Sequence, residues 1–546
     1  MRAIVTSLVT ATLVLTLGIG TARAGGIFVD PNDPGCVSGS GQADPYAVTY
    51  CNIQDAIDDA GAGDTVHIAA GTYESPLNIE GRSGLTLAGD DRDTVIVQPA
   101  STLDWGDPYG SDRQVAVRVY NSTDVVVSGL TLDFDLVRGN QVYGVLYWNS
   151  TGTVSQCRLE NMSVDDLSGG YSEITTYLRA PDYSDGARAT VTFSDNELID
   201  TGRVGVLTHQ FVDATISNNI FYKTTDDFGY AVELGSESIG TISDNTVYGF
   251  DTPAAVDGSS SAGIYIENSF TTGDTALTKP VTVDENEVYD CQYALWIGNG
   301  ADGYAGDVAI VATVSGNNFH DNIDGAVLVQ DEDAEAGSSV DATFKDNTLA
   351  SNGQTGFFIF TNGDGDITAT LTRQYISGHD VGVYLNDYAP GASASSYNVT
   401  VERCIVVGNA SYGVQNDYAG TVITAKPNVW WGSADGPEDT DSGTDEVTDD
   451  TCGDYTVAEM LNAVGESTGV LGNKVSDNVD YCPWRQQYGD VDGDGDVDLS
   501  DLAALLAAYG TCSGDAGYLS AADFDGSGCI DLSDLAILLA TYGGGV

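Results

Sequence analysis

A short motif ending in asparagine recurs through the middle of the chain and restricts the fold more than any other feature. Each of six copies consists of a large apolar residue, two further residues and the asparagine, and successive copies begin 23 to 41 residues apart. The asparagines are Asn196, Asn219, Asn245, Asn286, Asn317 and Asn347. A unit repeated at such a period is typical of a solenoid.

Asparagine at this place has two physical uses. It tolerates the left-handed backbone of a bend, and its amide can bond to the equivalent amide on the next coil. We therefore expect a ladder of side chains, which Gln374 and Cys404 continue downstream and Cys157 and Leu130 continue upstream. A second column follows the next strand and contains Asn322, Asn352, Asn409, Cys291 and His379. Chance recurrence of asparagine is the alternative, and ten aligned positions argue against it.

The segments between these motifs are short runs of β-branched and aromatic residues separated by Gly, Asn and Asp, with little helical periodicity. Coils of this length with three strands each predict an all-β chain folded as a right-handed parallel β-helix. Residues Asn52 to Ala60 are expected to form a capping helix before the first strand. The runs at 63–73 and 428–437 resemble the entry and the closing turn of pectin-lyase-like β-helices.

Two near copies of a twelve-residue acidic loop lie at Asp490–Asp501 and Asp523–Asp534. Oxygen-bearing side chains stand at loop positions 1, 3, 5 and 12, glycine at 6 and an aliphatic residue at 8, as a calcium loop requires. After each loop, apolar residues at i, i+3, i+4 and i+7 predict one amphipathic helix. A solvated acidic linker is the alternative, but a linker does not need the repeated glycine and aliphatic positions.

These loop-helix units resemble the type I dockerin module over about the last sixty residues. The resemblance implies a small all-α domain, two calcium ions and a cohesin-like partner. The implied ligands are Asp490, Asp492, Asp494, the Asp496 carbonyl and Asp501, and then Asp523, Asp525, Ser527, the Cys529 carbonyl and Asp534. The family often has asparagine at loop positions 3 and 9, where this chain has aspartate.

The first residues have the pattern of a secretory signal, with a charge at Arg2, an apolar run and a cleavage site before Gly25. The predicted organisation is a signal peptide at 1–24, a β-helix at 25–484 and a dockerin-like domain at 485–546. We expect a secreted or cell-surface protein with no membrane span after cleavage. Three disulfides are predicted, namely Cys36–Cys51, Cys452–Cys482 and Cys512–Cys529, and they leave Cys157, Cys291 and Cys404 as buried thiols.

A formal net charge of −62 makes nucleic acid an improbable partner. A third repeated run, such as Gly263-Ile-Tyr-Ile-Glu267, alternates so that its second and fourth residues point inward and its third and fifth outward. The predicted outward third column reads Leu146, Leu207, Glu233, Tyr265, Trp296, Val327, Phe358 and Tyr384, and the fifth column contains Trp148, His209 and Glu267.

Outward aromatic residues, one per coil, are a surface on which a sugar chain can stack. We expect Trp148, Tyr265, Trp296, Phe358 and Tyr384 to bind a polysaccharide. A carboxylate pair, Glu233 and Glu267, with His209 nearby, would cleave it by hydrolysis. The alternative is that insertions near 168–188 and 271–279 cover this face and bury the aromatics.

A lyase or epimerase would instead need a base near a neutralised uronate, with Arg203 and Lys223 as the chief candidates and Asp226-Asp227 as a calcium ligand pair. The residues alone are compatible with a polysaccharide hydrolase, with a lyase and with a protein that is not an enzyme. A non-catalytic surface or adhesion protein, which uses the β-helix as a spacer, is the competing reading.

Overall fold

The fold is a long coil of parallel strands followed by a small helical unit. The computed structural model describes residues 26–104, 113–137, 142–162, 173–180, 188–253, 259–267, 277–299, 308–331, 339–361, 366–387, 396–418, 420–425, 429–432, 437–439, 472–476, 478–481, 489, 491, 497–512, 517–519, 522–524 and 529–542. The predicted signal peptide, the proposed Cys452–Cys482 disulfide and six of the ten calcium ligands lie outside these residues.

Three sheets run side by side along the coil, and each coil in the central part contributes one strand to each sheet. The first sheet contains Thr49–Tyr50, Gly26–Val29, Thr65–Ile68, Thr86–Gly89, Val125–Ser128, Gly152–Ser155, Ala189–Ser194, Val212–Ser217, Ile239–Ser243, Leu277–Asp284, Val308–Ser315, Ser339–Lys345, Asp366–Thr372, Ser396–Glu402, Ile423–Thr424 and Val479–Asp480. The second contains Gly71–Tyr73, Val95–Val97, Thr131–Asp133, Arg158–Glu160, Glu197–Ile199, Ile220–Tyr222, Thr246–Tyr248, Glu287–Tyr289, Asn318–His320, Thr348–Ala350, Tyr375–Ser377 and Ile405–Val407.

The third sheet contains Leu77–Glu80, Gln114–Tyr120, Val142–Trp148, Ile174–Ala180, Val204–Gln210, Tyr230–Leu234, Ala262–Ile266, Tyr293–Asn299, Gly325–Asp331, Thr355–Thr361, Val381–Asp387, Tyr412–Asn416, Lys474–Val475 and Glu438–Asp439. Leu103–Asp104 pairs antiparallel with one of its strands, whereas the other described strand pairs are parallel. The inward residues of all three sheets form one continuous apolar core. The right-handed parallel β-helix predicted from the repeat is confirmed.

The asparagine ladder is present and connects neighbouring coils. Asn219 Nδ2 donates to Asn245 Oδ1 at 2.9 Å, Asn245 Nδ2 donates to Asn286 Oδ1 at 2.9 Å, and equivalent bonds join the other ladder asparagines. Gln374 accepts from Asn347 at 3.0 Å and donates its N–H to Cys404 Sγ, as expected. The second column is also confirmed, with Asn322 donating to Asn352 at 2.7 Å.

One detail of the ladder differs from the prediction. The left-handed residue is the one before each ladder position, such as Asp195, Asp244, Gly316 or Asp346, with φ between +53° and +69° along the ladder. The asparagine itself follows the bend with an ordinary backbone, which lets its side chain turn inward and its N–H meet the next amide. Aspartate, asparagine and glycine tolerate the bend position best.

Helix α1 (Ile53–Asp59) closes the N-terminal end of the core, as predicted. The Asn52 side chain caps it by accepting the Asp55 N–H at 2.9 Å, and Ile53, Ala56 and Ile57 are buried. The Cys36–Cys51 disulfide lies directly before it. In the described part of the predicted closing turn, Trp431 is fully buried in the core.

The C-terminal unit contains helices α2 (Leu499–Ala508) and α3 (Leu532–Thr541) around a small separate core. Asp498 and Asp531 cap the two helices, each in a reciprocal capping box. The Cys512–Cys529 disulfide is present, whereas Cys157, Cys291 and Cys404 are buried thiols, as predicted. Burial raises the pKa of all three thiols, so they are unsuited to act as nucleophiles.

Candidate functional site

The outer face of the third sheet brings together side chains from successive coils. Strand register aligns Leu207, Glu233, Tyr265 and Trp296 in one column. His209 and Glu267 lie two coils apart in the neighbouring column. Gly235 lies between them in this column, on the coil that carries Glu233.

One predicted position in this column is wrong. Trp296 pairs with Leu328, not Val327, and Leu328 pairs with Phe358. Val327 pairs with Leu295 and belongs to the inner core. The run beginning at Gly325 starts one residue earlier in register than the run beginning at Ala294, and a shift of one residue reverses the face of every side chain in a strand.

The structure also adds two residues that the repeat did not indicate. Tyr177 lies in the third column between Leu146 and Leu207, and Arg179 lies in the fifth column between Trp148 and His209. Their strand, Ile174–Ala180, lacks the small first residue that marked the other runs. Its alternation of polar and apolar residues was the available signal.

The upstream part of this face is covered and does not face solvent. Outward side chains form a second apolar group, here called the outer cluster, which consists of Val115, Tyr143, Leu146, Trp148, Ile174, Tyr177, Val204, Leu207, Phe228, Tyr230 and Ala262. Trp148 is only 3% exposed, and the Arg179 guanidinium lies 5.0 Å from its ring centroid. The expectation of an exposed Trp148 is therefore wrong, because large rings from adjacent coils pack against one another.

Downstream of the outer cluster, the aromatic residues are half-buried and form short stacks. Tyr265 and Trp296 have ring centroids 4.6 Å apart, and Phe358 and Tyr384 stack at 5.2 Å with 8° between their planes. The Tyr384 hydroxyl donates to Asp417 at 2.8 Å. These four side chains remain on the face that carries the predicted carboxylates.

Glu233, Glu267 and His209 meet at the boundary between the two regions. One ligand-type atom from each lies within 4.8 Å of the others. Glu233 is 6% exposed, Glu267 1% and His209 9%. The sequence placed these three residues on neighbouring coils, and the register brings their polar atoms into one cluster.

Gly235 keeps a space open inside this cluster. A Cβ atom at this position would lie 2.5 Å from Glu267 Oε1 and 2.6 Å from His209 Cδ2. Contacts below 3 Å are not tolerated between such atoms, so any side chain would displace the glutamate or the imidazole. The glycine therefore permits His209 and Glu267 to approach the same point from two coils.

Lys279 fixes the backbone that carries the carboxylates. Its Nζ donates to the carbonyl oxygens of Leu234, Ser236 and Glu267 at 2.6, 2.9 and 2.5 Å. Glu267 Oε1 in turn accepts the Ser236 N–H at 3.2 Å. Burial lowers the pKa of Lys279, and the nearby Glu267 charge opposes that shift.

The surroundings of the cluster shift the pKa values of Glu233 and His209 in opposite directions. Burial, and then the charge of Glu267, raise the pKa of Glu233 well above its usual range. Burial lowers the pKa of His209 to about 3, and Arg179, Lys279 and Arg113 lower it further in the same direction. At neutral pH, Glu233 is therefore disposed to keep a proton and His209 to be uncharged.

Tyr177 and Arg179 hold the imidazole in place. The Tyr177 hydroxyl and His209 Nδ1 are 2.8 Å apart, and Arg179 Nη1 donates to the Tyr177 oxygen at 3.3 Å. Arg179 Nε also donates to Gln210 at 3.0 Å. The other ring nitrogen of His209, Nε2, is then the one that can interact with Glu233 and Glu267.

An imidazole and two carboxylates are also a ligand set for a divalent transition metal. Arg113, Arg179 and Lys279 contribute positive charge around His209, whereas at Glu233 the charge of Glu267 outweighs Arg203 and Lys279 individually. Lys223, a candidate base from the sequence, is instead buried and paired with Asp227.

The described part of the C-terminal loops suits calcium. Asp501 and Asp534, at loop position 12, are fully buried, and each accepts two backbone N–H groups from its own loop. Val497 and Ile530, at position 8, are buried in the local core. Asp490, Asp492, Asp494, Asp496, Asp525 and Ser527 lie outside the described residues, and Asp523 and Cys529 lie within them.

Comparison with known proteins agrees with these observations. A family model described as right handed beta helix region matches residues 109–303 and 262–443, and a model of the dockerin type I domain matches residues 488–540. Comparison with curated proteins finds no match. Among the described residues, no helix has the length and apolar character needed to cross a bilayer.

Several solved structures are similar in fold. The A-module of mannuronan C-5 epimerase AlgE4 from Azotobacter vinelandii is 16% identical over 72% of this chain and 93% of its own, with a TM-score of 0.40. The periplasmic alginate epimerase AlgG is 12% identical over 69% and 82%, with a TM-score of 0.43. The GH136 lacto-N-biosidase from Eubacterium ramulus is 14% identical over 68% and 66%, with a TM-score of 0.43. At these values none of them indicates what this chain acts on. The two family matches show that the chain belongs to the right-handed parallel β-helix family and carries a type I dockerin domain at residues 488–540.

Proposed function

We propose that this is an exported carbohydrate-active protein that binds and cleaves a polysaccharide on the third sheet. The dockerin domain would attach it to a cohesin-like partner and would fold around two calcium ions held by the ten ligands named above. Six exposed apolar residues on α2 and α3 and at their C-caps would provide the docking surface, namely Leu499, Leu506, Tyr509, Leu532, Leu539 and Tyr542. Exposed apolar groups in such number on a small unit are typical of an interface.

The meeting of Glu233 and Glu267 on successive coils carries the proposal. Hydrolysis of a glycoside requires one carboxyl group that holds a proton and one that acts as a carboxylate. Glu233 has the raised pKa expected of the acid. Glu267 accepts the Ser236 N–H, which stabilises its charged form.

One oxygen of each carboxyl group lies within 4.8 Å of the other, which favours a retaining mechanism, because the carboxyl groups of inverting enzymes stand about 6.5–9.5 Å apart. Glu267 would attack the anomeric carbon while Glu233 gives its proton to the departing glycosidic oxygen. Glu233 would then take a proton from water as the water displaces the Glu267 ester. His209, held by Tyr177, would orient the carboxyl groups through Nε2.

The half-buried aromatics downstream of the carboxylates would bind the sugar rings. Tyr265, Trp296, Phe358 and Tyr384 lie on this side, and Tyr265 pairs directly with Glu233 in the sheet. Sugar rings stack on aromatic faces while their hydroxyls remain hydrogen-bonded. Trp148 does not belong to this sugar-binding set, because Arg179 covers its ring.

The test is hydrolysis by Glu233→Gln and Glu267→Gln, on polysaccharides first identified with a glycan array. Each variant should lower release of reducing ends by about 100-fold or more, since each removes one of two required groups. Glu287→Gln, at an exposed glutamate on the second sheet, is the matched control and should be fully active. Unchanged hydrolysis in both site variants would remove these residues from the mechanism.

Gly235→Ala provides a test that keeps every functional group. Its methyl would enter the space between His209 and Glu267, so activity should fall although both glutamates remain. Gly205→Ala is the control, because its Cβ would meet the Ala231 carbonyl at 2.5 Å in an adjacent coil but no group of the cluster. Equal losses in the two variants would indicate a general effect on the coil.

A second candidate reaction is elimination from an acidic sugar. The observation in its favour is that Arg113, Arg179 and Lys279 surround the Tyr177–His209 pair in a chain of strongly negative total charge. Elimination would release unsaturated products that absorb in the ultraviolet, whereas hydrolysis would not. A non-catalytic spacer would show neither product and no glycan binding.

A further inference from the structure

The two calcium loops differ in how the surrounding chain supports them. In the second loop, Cys529 occupies position 7, whose carbonyl is an implied ligand, and its side chain is bonded to Cys512 beyond the end of α2. The equivalent residue of the first loop is Asp496, which cannot form such a bond. The duplicated sequence therefore contains one loop that is covalently tied and one that is not.

Backbone hydrogen bonds extend this tie. Gly510 donates its N–H to the Ile530 carbonyl at 2.8 Å, and Ile530 donates to the Thr511 carbonyl at 2.9 Å. Ile530 is itself fully buried against the small core. The segment 510–512 thus holds positions 7 and 8 of the second loop from outside the loop.

A second external support acts at the start of the same loop. The Tyr518 hydroxyl donates to Asp523 Oδ2 at 2.5 Å, and Asp523 is loop position 1. The residue at the equivalent distance before the first loop is Arg485, so the tyrosine is not repeated in the first copy. A group that orients a metal ligand in this way raises the affinity of the site.

The second loop also has the weaker set of charges. Ser527 replaces the Asp494 of the first loop at position 5, so the second loop has one carboxylate fewer at a ligand position. Calcium affinity falls with ligand charge and rises with the rigidity of the loop. External support would therefore compensate for the missing charge.

We propose that the Cys512–Cys529 disulfide and Tyr518 preorganise the second calcium loop, so that its affinity depends on them whereas that of the first loop does not. The disulfide closes a segment of 17 residues and so restricts the loop before calcium binds. A dithiol reductant would deliver two electrons and two protons, breaking the S–S bond into two thiols while it becomes a cyclic disulfide. The inference rests on the calcium binding proposed above.

The experiment is calcium titration of the full-length protein by calorimetry, with Asp501→Ala used to silence the first loop. In that background, Cys512→Ala, or reduction, should weaken the remaining site by about tenfold or more. Tyr518→Phe, which keeps the disulfide and the ring, should weaken it by about tenfold. In the converse background, Asp534→Ala, the same changes should leave the first site unaltered.

The controls separate this inference from the proposed calcium binding. A protein without the other described disulfide, Cys36→Ala with Cys51→Ala, should bind calcium as wild type does. Unchanged affinity of the second site in both Cys512→Ala and Tyr518→Phe would overturn the inference while leaving calcium binding intact. Absence of any calcium binding in the wild-type protein would instead overturn the proposed function of the loops, and the inference with it.

Discussion

Replacement of Asn219 by alanine should loosen the coils that carry the candidate site. Asn219 lies in the coil of Glu233, and its ladder partners Asn196 and Asn245 lie in the coils of His209 and Glu267. Its side chain makes four hydrogen bonds. Nδ2 donates to the Phe193 carbonyl and Asn245 Oδ1 at 2.9 Å each, and Oδ1 accepts from N and Nδ2 of Asn196 at 3.0 and 3.1 Å.

The expected loss follows from these bonds. Each is worth about 1 kcal/mol net, so Asn219→Ala should cost about 4 kcal/mol in local stability. The Asn196 N–H and the Phe193 carbonyl would lose the partners that Asn219 provides, and Asn219 is only 1% exposed, so water cannot replace them without opening the coil. A cost of this size corresponds to roughly a thousandfold faster exchange of amide hydrogens through local opening.

Native-state hydrogen exchange of the segments around 189–266 is the direct assay. Asn398→Ala is the control, since that residue points outward from an exposed strand position and should change stability by less than about 0.5 kcal/mol. Asn219→Gln should lie between the two, because Gln374 already occupies a ladder position elsewhere. Exchange in Asn219→Ala no faster than in the control would refute the ladder as a source of stability.

Four further predictions concern charge, calcium and sugar binding. Because burial raises the folded-state pKa of Glu233 from 4.5 to about 8, its contribution to stability is lost as pH rises between these values, and Glu233→Gln should gain urea stability relative to wild type in that direction. The depressed pKa of His209 acts with the opposite sign, so His209→Gln should gain relative stability as pH falls from about 6.5 towards 3. Chelation should make the chain after Tyr488 sensitive to protease while the β-helix stays resistant, as gel analysis of timed digests would show. Trp296→Ala should weaken polysaccharide binding about tenfold in affinity electrophoresis, whereas Tyr375→Ala, at an exposed ring on the second sheet, should not.

The sequence was sufficient for the fold because its signals repeat. Each ladder asparagine sits at one position of a coil, so Asn196 to Asn347 report the same register six times. The Cys36–Cys51 and Cys512–Cys529 pairs were predictable because each is close in sequence. Such local and repeated features require no knowledge of distant contacts.

The site was less predictable because register in the third sheet depends on small differences between coils. Nothing in the run from Gly325 shows that it aligns with Tyr293 and not with Ala294, and this choice decides whether Val327 or Leu328 faces outward. The solvent exposure of outward side chains was harder still to predict. Trp148 does point away from the inner core, yet Arg179 and the rings of adjacent coils cover it. An alternating pattern identifies the side of a strand, not what lies over that side.

The electrostatics of the cluster could not be inferred from composition. A net charge of −62 predicts a surface that repels anions, but screening limits that effect beyond about 10 Å at ordinary ionic strength. Inside the cluster, the influences on Glu233 are burial, Glu267, Arg203 and Lys279, all within a few coils. Lys279 reaches the site from the first sheet, on a strand that begins after Glu267 has left the third. The next strand along the chain thus brings the Lys279 ammonium group to the backbone that carries two buried carboxylates. Burial and these nearby charges, more than total charge, determine which carboxyl group can hold a proton.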